Sequence, residues 1–319
     1  MFRTGQEIGI YTLVKRIGRG GFGEVWLAER RAKFVTTKVA VKLPLEEQVD
    51  TEAVKREAVL WEQASGHPNV LPILDADEYD GQIVIVSEYA TDGSLEELLK
   101  QNGGKLTIKK AAEIAVGILN GLEFLHSRKI IHRDVKTANV LLQGDTPRLA
   151  DFGISRVMQT TAVSTNAAGT PTYMSPEAFD GVRSEQTDIW SAGVILYEML
   201  SGSFPFAGEG VGELFAAIMS KEPLPLSENT PAALRQIVMR ALSKPLSERY
   251  QTALTMRNDL QKFLTQFSHE DWKVNPGDYS AGRIFFSADQ GNKGFRFSDG
   301  GASQRSSASS DERRKFVWK

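Results

Sequence analysis

Two short stretches concentrate the side chains that phosphoryl transfer to a hydroxyl requires. They are His132-Arg133-Asp134-Val135-Lys136-Thr137-Ala138-Asn139 and, a little further on, Asp151-Phe152-Gly153. One carboxylate must orient the hydroxyl and take its proton, and Asp134 supplies it. Oxygen ligands must hold a divalent cation against the phosphates, and Asn139 and Asp151 supply two. Mg²⁺ suits such a pair because it prefers oxygen and keeps phosphate oxygens in its own shell. A further cation must offset the charge that builds on the transferred group, which is a task for Lys136. Either stretch alone reads equally well as a polar surface loop or an unrelated turn. Both together, in this order, do not.

Phosphate-binding parts lie upstream. Gly18-Arg19-Gly20-Gly21-Phe22-Gly23-Glu24-Val25 joins two predicted strands. Glycines there let the backbone approach phosphate closely and aim N–H groups at it. A G-x-G-x-x-G alone also fits a plain hairpin or a dinucleotide site, but the dinucleotide site needs a helix directly afterwards and here a strand follows. Lys42, in Val39-Ala40-Val41-Lys42, sits on the next strand. It either snorkels at a sheet edge or is a cation held near phosphates. The second role needs a carboxylate to fix it, and Glu57, in the helix predicted next, is the candidate.

These residues need a scaffold of two kinds. Tyr11 to Ile17, Glu24 to Glu29, Lys38 to Leu43, Leu71 to Ala76 and Gln82 to Tyr89 have strand composition. Thr51 to Ala64 between them has helical periodicity. After Tyr89 the character turns helical. Ser94 and Glu97 form a capping box, and helical patterns cover Ile108 to Ser127, Asp188 to Ser201, Gly212 to Met219, Pro231 to Ala241 and Ala253 to Phe267. The reading is α+β with two subdomains. Hydrophobic residues make up 41% of the 319, enough for a sizeable core, and the net charge of -2 gives no pointer to nucleic acid. There is no cysteine, which excludes disulfides and thiolate ligands. No stretch approaches the roughly 20 apolar residues of a membrane span, so the expectation is a soluble protein. From about Ser268 the sequence is rich in Gly, Ser and charge and reads as disordered, ending in a basic, aromatic tip, Arg313 to Lys319.

The motif set resembles, in order, that of the protein-kinase family over roughly residues 8 to 267. The resemblance implies a bilobal fold with an antiparallel-sheet N-lobe with one helix (about 8–87), a hinge (88–93) and a helical C-lobe (94–267), with 268–319 as a tail. It implies ATP with Mg²⁺, Mn²⁺ standing in, and protein substrates. Nucleotide would be held by Ile17, Gly18, Gly20, Gly21, Phe22, Gly23, Val25, Ala40, Lys42, Glu88, Ala90 and Leu141. Adenine would lie between Val25 and Ala40 above and Leu141 below, bonded to the hinge backbone. Lys42, Glu57, Asp134 and Lys136 would be catalytic, Asn139 and Asp151 metal-binding. Ser87 falls at the position behind adenine, and Trp61, Ile73, Phe152 and His132 would form an apolar column.

Further matches carry structural roles. Asp188 would accept hydrogen bonds from the catalytic-loop backbone, and Arg249 would pair with Glu177 of Ser175-Pro176-Glu177. The placing of Lys136 two residues after Asp134, and Gly169-Thr170-Pro171-Thr172-Tyr173, resemble the serine/threonine branch. Arg133 implies activation-loop phosphorylation at Thr160, Thr161, Ser164 or Thr165. The compact lobes resemble the eukaryotic-type kinases of bacteria, and a cytoplasmic location is expected. A catalytically dead scaffold would lack Lys42, Asp134, Asn139 or Asp151, and all are present. A small-molecule kinase would lack Ser175-Pro176-Glu177. The tail, 268–319, is either a docking or autoinhibitory segment or an inert extension.

Overall fold

In two central strands of the first part, residues 25–28 and 39–42, one parity is buried and the other is left for the cleft. The computed structural model describes residues 2–20, 23–44, 64–151 and 171–266, all within one unit spanning residues 1–278. The strands are β1 (Glu7–Ile8), β2 (Tyr11–Gly20), β3 (Gly23–Arg31), β4 (Thr36–Pro44), β5 (Ile73–Tyr79) and β6 (Gln82–Glu88). They form one six-stranded antiparallel sheet in the order β1-β2-β3-β4-β6-β5. On one face Leu13, Trp26, Ala28, Val39, Val41, Leu43, Val84 and Val86 pack into a core of their own. The period of two then turns Val25, Ala40 and Lys42 to the other face, toward the cleft. The sheet curls: Tyr11 on β2 donates from Oη to Asp75 Oδ2 on the far edge strand β5 at 2.7 Å.

The sequence reading is corrected at the edges. β1 has two residues, too short for any alternation to register, and β5 runs from Ile73 to Tyr79, two residues later than expected at its start. A second, two-stranded sheet of β7 (Val140–Gln143) and β8 (Thr146–Leu149) follows the Asp134 loop, where the sequence reading named no element. Its strands have four residues each and close a Gly144 turn, below the length at which periodicity is informative. The expected helix Thr51 to Ala64, with Glu57 and Trp61, lies outside the described residues apart from Ala64.

The second part is helical: α1 (Leu95–Gln101), α2 (Ile108–Ser127), α3 (Pro176–Phe179), α4 (Glu185–Ser201), α5 (Val211–Ser220), α6 (Ala232–Ala241) and α7 (Ala253–Gln266). α1 begins as its sequence dictates, with Ser94 and Glu97 capping each other. α4 starts at Glu185, three residues before the expected Asp188, where Ser184 N–H donates to Thr187 Oγ1 at 3.2 Å and caps the first turn. α2 and α4 make the centre of the large core, where Ile189, Trp190, Val194, Ile195 and Leu196 are fully buried.

The two parts are joined by backbone. Leu149 N–H bonds Asn69 O at 2.9 Å and Leu71 N–H bonds Leu149 O at 2.9 Å, so the segment before β5 is stitched to β8. That segment lies against α2 at a glycine. A Cβ on Gly121 would stand 2.6 Å from Asn69 O and 2.9 Å from Leu149 Cδ1, so the close approach excludes a side chain there.

Candidate active site

The loop that carries Asp134 is built on one buried carboxylate. Asp188, near the start of α4, accepts from His132 N–H at 2.8 Å and from Arg133 N–H at 2.9 Å, and lies 2.8 Å from His126 Nε2. It is 1% exposed. A buried carboxylate is stable only when its oxygens are taken up in this way, and here the loop backbone provides the donors. Backbone strain stands at two points of the site: Arg133, beside Asp134, has φ 73°, and Asp151 itself has φ 62°, both left-handed values.

A chain of polar contacts runs through the site. Asp134 Oδ2 accepts from Lys136 Nζ at 2.8 Å and from Asn139 Nδ2 at 2.9 Å. Asn139 Nδ2 also donates to Asp134 O, and Ala150 N–H bonds Asn139 O at 2.9 Å, which sets the position of the next residue, Asp151. Asp151 Oδ1 in turn takes Lys42 Nζ at 2.9 Å. Thus Lys42, Asp151, Asn139, Asp134 and Lys136, contributed by β4 and by the segments on either side of β7–β8, converge. Burial works to raise the Asp151 pKa, but the charge and hydrogen bond of Lys42, aided by Lys136 and His132, hold it below the ordinary value. Glu57, expected to hold Lys42, lies outside the described residues; the described partner of Lys42 is Asp151.

Above this floor is a cavity of about 850 Å³. Ile17, Gly18, Val25, Ala40 and Lys42 line it from the sheet, Ile73, Ile85 and Ser87 from behind, Ala90 from the hinge, and Leu141, Asn139 and Asp151 from below. Gly23, φ 138°, closes the β2–β3 hairpin where a Cβ would meet Leu43 O at 2.2 Å. Gly20 pairs with Gly23 in that hairpin, and Gly21 and Phe22 lie outside the described residues. Glu88 does not line the cavity. Its N–H bonds Pro72 O at 3.2 Å and its carboxylate pairs with Arg148 on β8 at 2.5 Å. Arg148 and Asn69 were not singled out by sequence, since neither lies in a motif that carries chemistry.

Next to the site Tyr173 donates to Glu198 Oε2 at 2.7 Å and lies 2.8 Å from Thr137 Oγ1. Burial, helped by the charge of Glu96, raises the Glu198 pKa against the Tyr173 bond. Deeper still, Arg249 grips Glu177 with two bonds, 2.6 and 3.2 Å, and lies over the Trp190 ring at 4.8 Å. Thr170, Phe152 and Thr160 to Thr165 lie outside the described residues.

The donor set fits a phosphate-bound cation. Among the described residues no group of three or more His, Asp or Glu forms an all-protein cage. Asn139 spends its amide nitrogen on Asp134 and keeps its oxygen, and Asp151 carries a lowered pKa. Two such ligands leave room for phosphate oxygens and water, as a hard octahedral cation requires.

Known proteins resemble this chain in sequence. The family model described as protein kinase domain matches residues 11–273. Serine/threonine-protein kinase 36 of Pongo abelii is 35% identical over 244 residues, 75% of this chain and 18% of that protein. A probable serine/threonine-protein kinase of Clostridium perfringens is 33% identical over 79% of this chain and 38% of its own length. One of Lactococcus lactis is 31% identical over 84% and 46%. The chain therefore spans less than half the length of each of these relatives, which come from an ape and from bacteria alike. Among the described residues no helix is long and apolar enough to cross a membrane. Members of the matched family generally use ATP and a divalent metal and act on proteins, and this chain belongs to the protein kinase domain family.

Proposed function

We propose that the chain transfers the γ-phosphate of ATP to serine and threonine hydroxyls of proteins. The observation that carries this reading is the convergence at the floor of the cavity of two bonded groups, Lys42–Asp151 and Asn139–Asp134–Lys136, joined through the backbone by the Ala150 N–H bond to Asn139 O. Asp134 orients the acceptor hydroxyl and takes its proton as the oxygen attacks phosphorus and the bond to the β-phosphate oxygen breaks. Lys136, 2.8 Å from Asp134, is close enough to offset charge on the transferred group. Asn139 and Asp151 would hold Mg²⁺, or Mn²⁺ in its place, and that ion would neutralise phosphate charge. Lys42 would exchange Asp151 for nucleotide phosphate and Glu57. Ile17, Gly18, Gly20, Gly21, Phe22, Gly23, Val25, Ala40, Ala90 and Leu141 would enclose the nucleotide, and the Glu88 carbonyl would meet the purine edge.

On this reading residues 8–267 are the catalytic domain, with the N-lobe about 8–87, the hinge 88–93 and the C-lobe 94–267. It acts in the cytoplasm and phosphorylates its own loop at Thr160, Thr161, Ser164 or Thr165. Residues 268–319 dock a partner or inhibit the enzyme. The test is transfer from γ-labelled ATP with Mg²⁺ to a generic basic protein, with Asp134→Asn and Asp151→Asn as controls. Label on Ser and Thr that disappears in both variants is expected. Label that persists in Asp134→Asn would remove the assignment, and intact mass of the same pair reads out self-phosphorylation.

A further inference from the structure

The β3–β4 hairpin carries surface that neither the core nor the cleft uses. Its strands pair with one another out to Arg31 and Thr36. Their outer neighbours stop sooner: β2 reaches only Arg30, through Tyr11, and β6 reaches only Val39, through Glu88. The rest projects as a two-stranded ribbon, and every residue from Arg30 to Lys38 is exposed. The Ala32 N–H bond to Val35 O, 2.9 Å, closes its tip. There Phe34 is 87% exposed and Val35 59%. Ile10, 46% exposed, lies in the adjacent β1–β2 turn at the same end of the sheet. Lys33 shares the turn with Phe34, its Nζ 5.4 Å from the ring centre, and Arg30, Arg31 and Lys38 stand further back, with no acidic residue among positions 30–38, in a chain of net charge -2. The Arg31 contact to Glu29, 3.8 Å between two partly exposed groups, leaves that charge little reduced.

Among the described residues only the neighbouring Lys33 ammonium lies over the Phe34 ring, so the tip adds little to the fold, and its shape narrows what would cover it. A ribbon apex is convex, so it offers a protein partner no groove. Nucleic acid would match the cations but give Phe34 and Val35 no apolar phase to enter, leaving both side chains exposed. A lipid surface matches both parts: the ring and the branched side chain enter the boundary of headgroup and acyl chain, and the long cations behind them stay level with lipid phosphates.

We propose that the β3–β4 hairpin tip docks this protein on the anionic surface of a lipid bilayer, with Phe34 and Val35 entering the interface and Arg30, Arg31, Lys33 and Lys38 facing the phosphates. The glycine-rich turn lies at the opposite end of β3, where Gly20 pairs with Gly23, so docking leaves the nucleotide cleft clear. One such tip is a weak, reversible anchor. The chain's other end repeats its chemistry in Arg313-Arg314-Lys315-Phe316-Val317-Trp318, and two weak contacts on one chain reinforce each other.

The test is sedimentation of the full chain with vesicles of phosphatidylcholine alone or containing about one-third phosphatidylserine. Wild type is expected to pellet with the anionic vesicles only. Phe34→Ser/Val35→Ser and Lys33→Glu should each lower the bound fraction roughly fivefold or more, with unchanged thermal melting since all three residues are exposed. Three results would overturn the proposal: no pelleting of wild type, equal pelleting of wild type and hairpin variants (attachment through the C-terminal segment instead), or variants that lose binding to an acidic protein or a DNA duplex while keeping vesicle binding.

Discussion

Arg148 on β8 holds Glu88, the last residue of β6, through a 2.5 Å contact between guanidinium and carboxylate. The pair ties the start of the hinge to the hairpin that carries Leu141 and runs into Asp151. Both side chains are partly exposed, so screening limits the pair to about 1 kcal/mol. Arg148→Gln is therefore expected to raise the KM for ATP about fivefold, with kcat nearly unchanged, because hinge and floor lose their common anchor. A steady-state titration of ATP reads both numbers. A fall in kcat with constant KM would place the role of the pair elsewhere.

Arg249 and Glu177 give a prediction with a sign in pH. Burial works to raise the Glu177 pKa, but the Arg249 bonds and charge overcome it and hold the carboxyl below its ordinary 4.5. A depressed folded pKa stabilises the protein above the unfolded value, and that stability is lost as pH falls through the folded one. Wild type should thus lose stability progressively below pH 4.5 from this group. Arg249→Met leaves a half-buried carboxylate without its partner, at a cost of about 3–5 kcal/mol near neutrality. It also flattens the slope, since burial then opposes only the remaining hydrogen bonds to Glu177 and the pKa moves up toward or past its ordinary value. Urea unfolding of both proteins across acidic pH measures the two slopes. Parallel slopes would contradict the assignment, and Glu177→Gln added to Arg249→Met should recover part of the loss.

Gly121 makes a steric prediction. The Cβ of Gly121→Ala would stand 2.6 Å from Asn69 O, a backbone atom that is itself bonded to Leu149 N. Backbone cannot swing aside as a side chain tip does, so the segment before β5 must shift relative to α2. The expected cost is about 1–3 kcal/mol in unfolding free energy. Gly212→Ala, in α5, is a control for the substitution itself: no atom lies within 4 Å of a Cβ there and its φ is not left-handed. A Gly121→Ala protein as stable as wild type would show that the junction is looser than the contacts indicate.

The order of motifs in the sequence carried most of this architecture, because phosphoryl transfer needs specific residue types at fixed separations. Asp134, Lys136 and Asn139 are within reach of one another along the chain, and the structure brings Asp151 and Lys42 to them. Long amphipathic helices were equally legible: Ile108–Ser127 has its expected limits because twenty residues repeat the 3.6-residue period five times or more. What stayed hidden was short or tertiary. β1, β7 and β8 have too few residues to show a period. Arg148, Asn69 and Gly121 matter only through partners far away in sequence, and nothing local marks them. Lys42 shows the same limit, since its type predicted an anionic partner but only the fold shows Asp151 at 2.9 Å.

Ser87 sets the depth of the cavity behind the hinge, where Ile73, Ile85 and Lys42 are its fellow lining residues. Its hydroxyl makes only a long bond, 3.3 Å, to Glu88 O, so the side chain contributes little to stability and its small volume is the feature that matters. Ser87→Phe would fill that space with a ring from a strand whose backbone pairs with Ala40, leaving the hinge and Leu141 where they are. ATP does not need the filled volume, and its KM should change by less than about threefold. Purine analogues carrying a bulky group toward Ser87 should lose about tenfold or more in affinity, because overpacking forces neighbouring side chains off their rotamers. Competition of such an analogue against ATP, run on wild type and Ser87→Phe in parallel, separates the two effects. Equal loss for ATP and analogue would mean that the ring has displaced the hinge instead of filling the pocket.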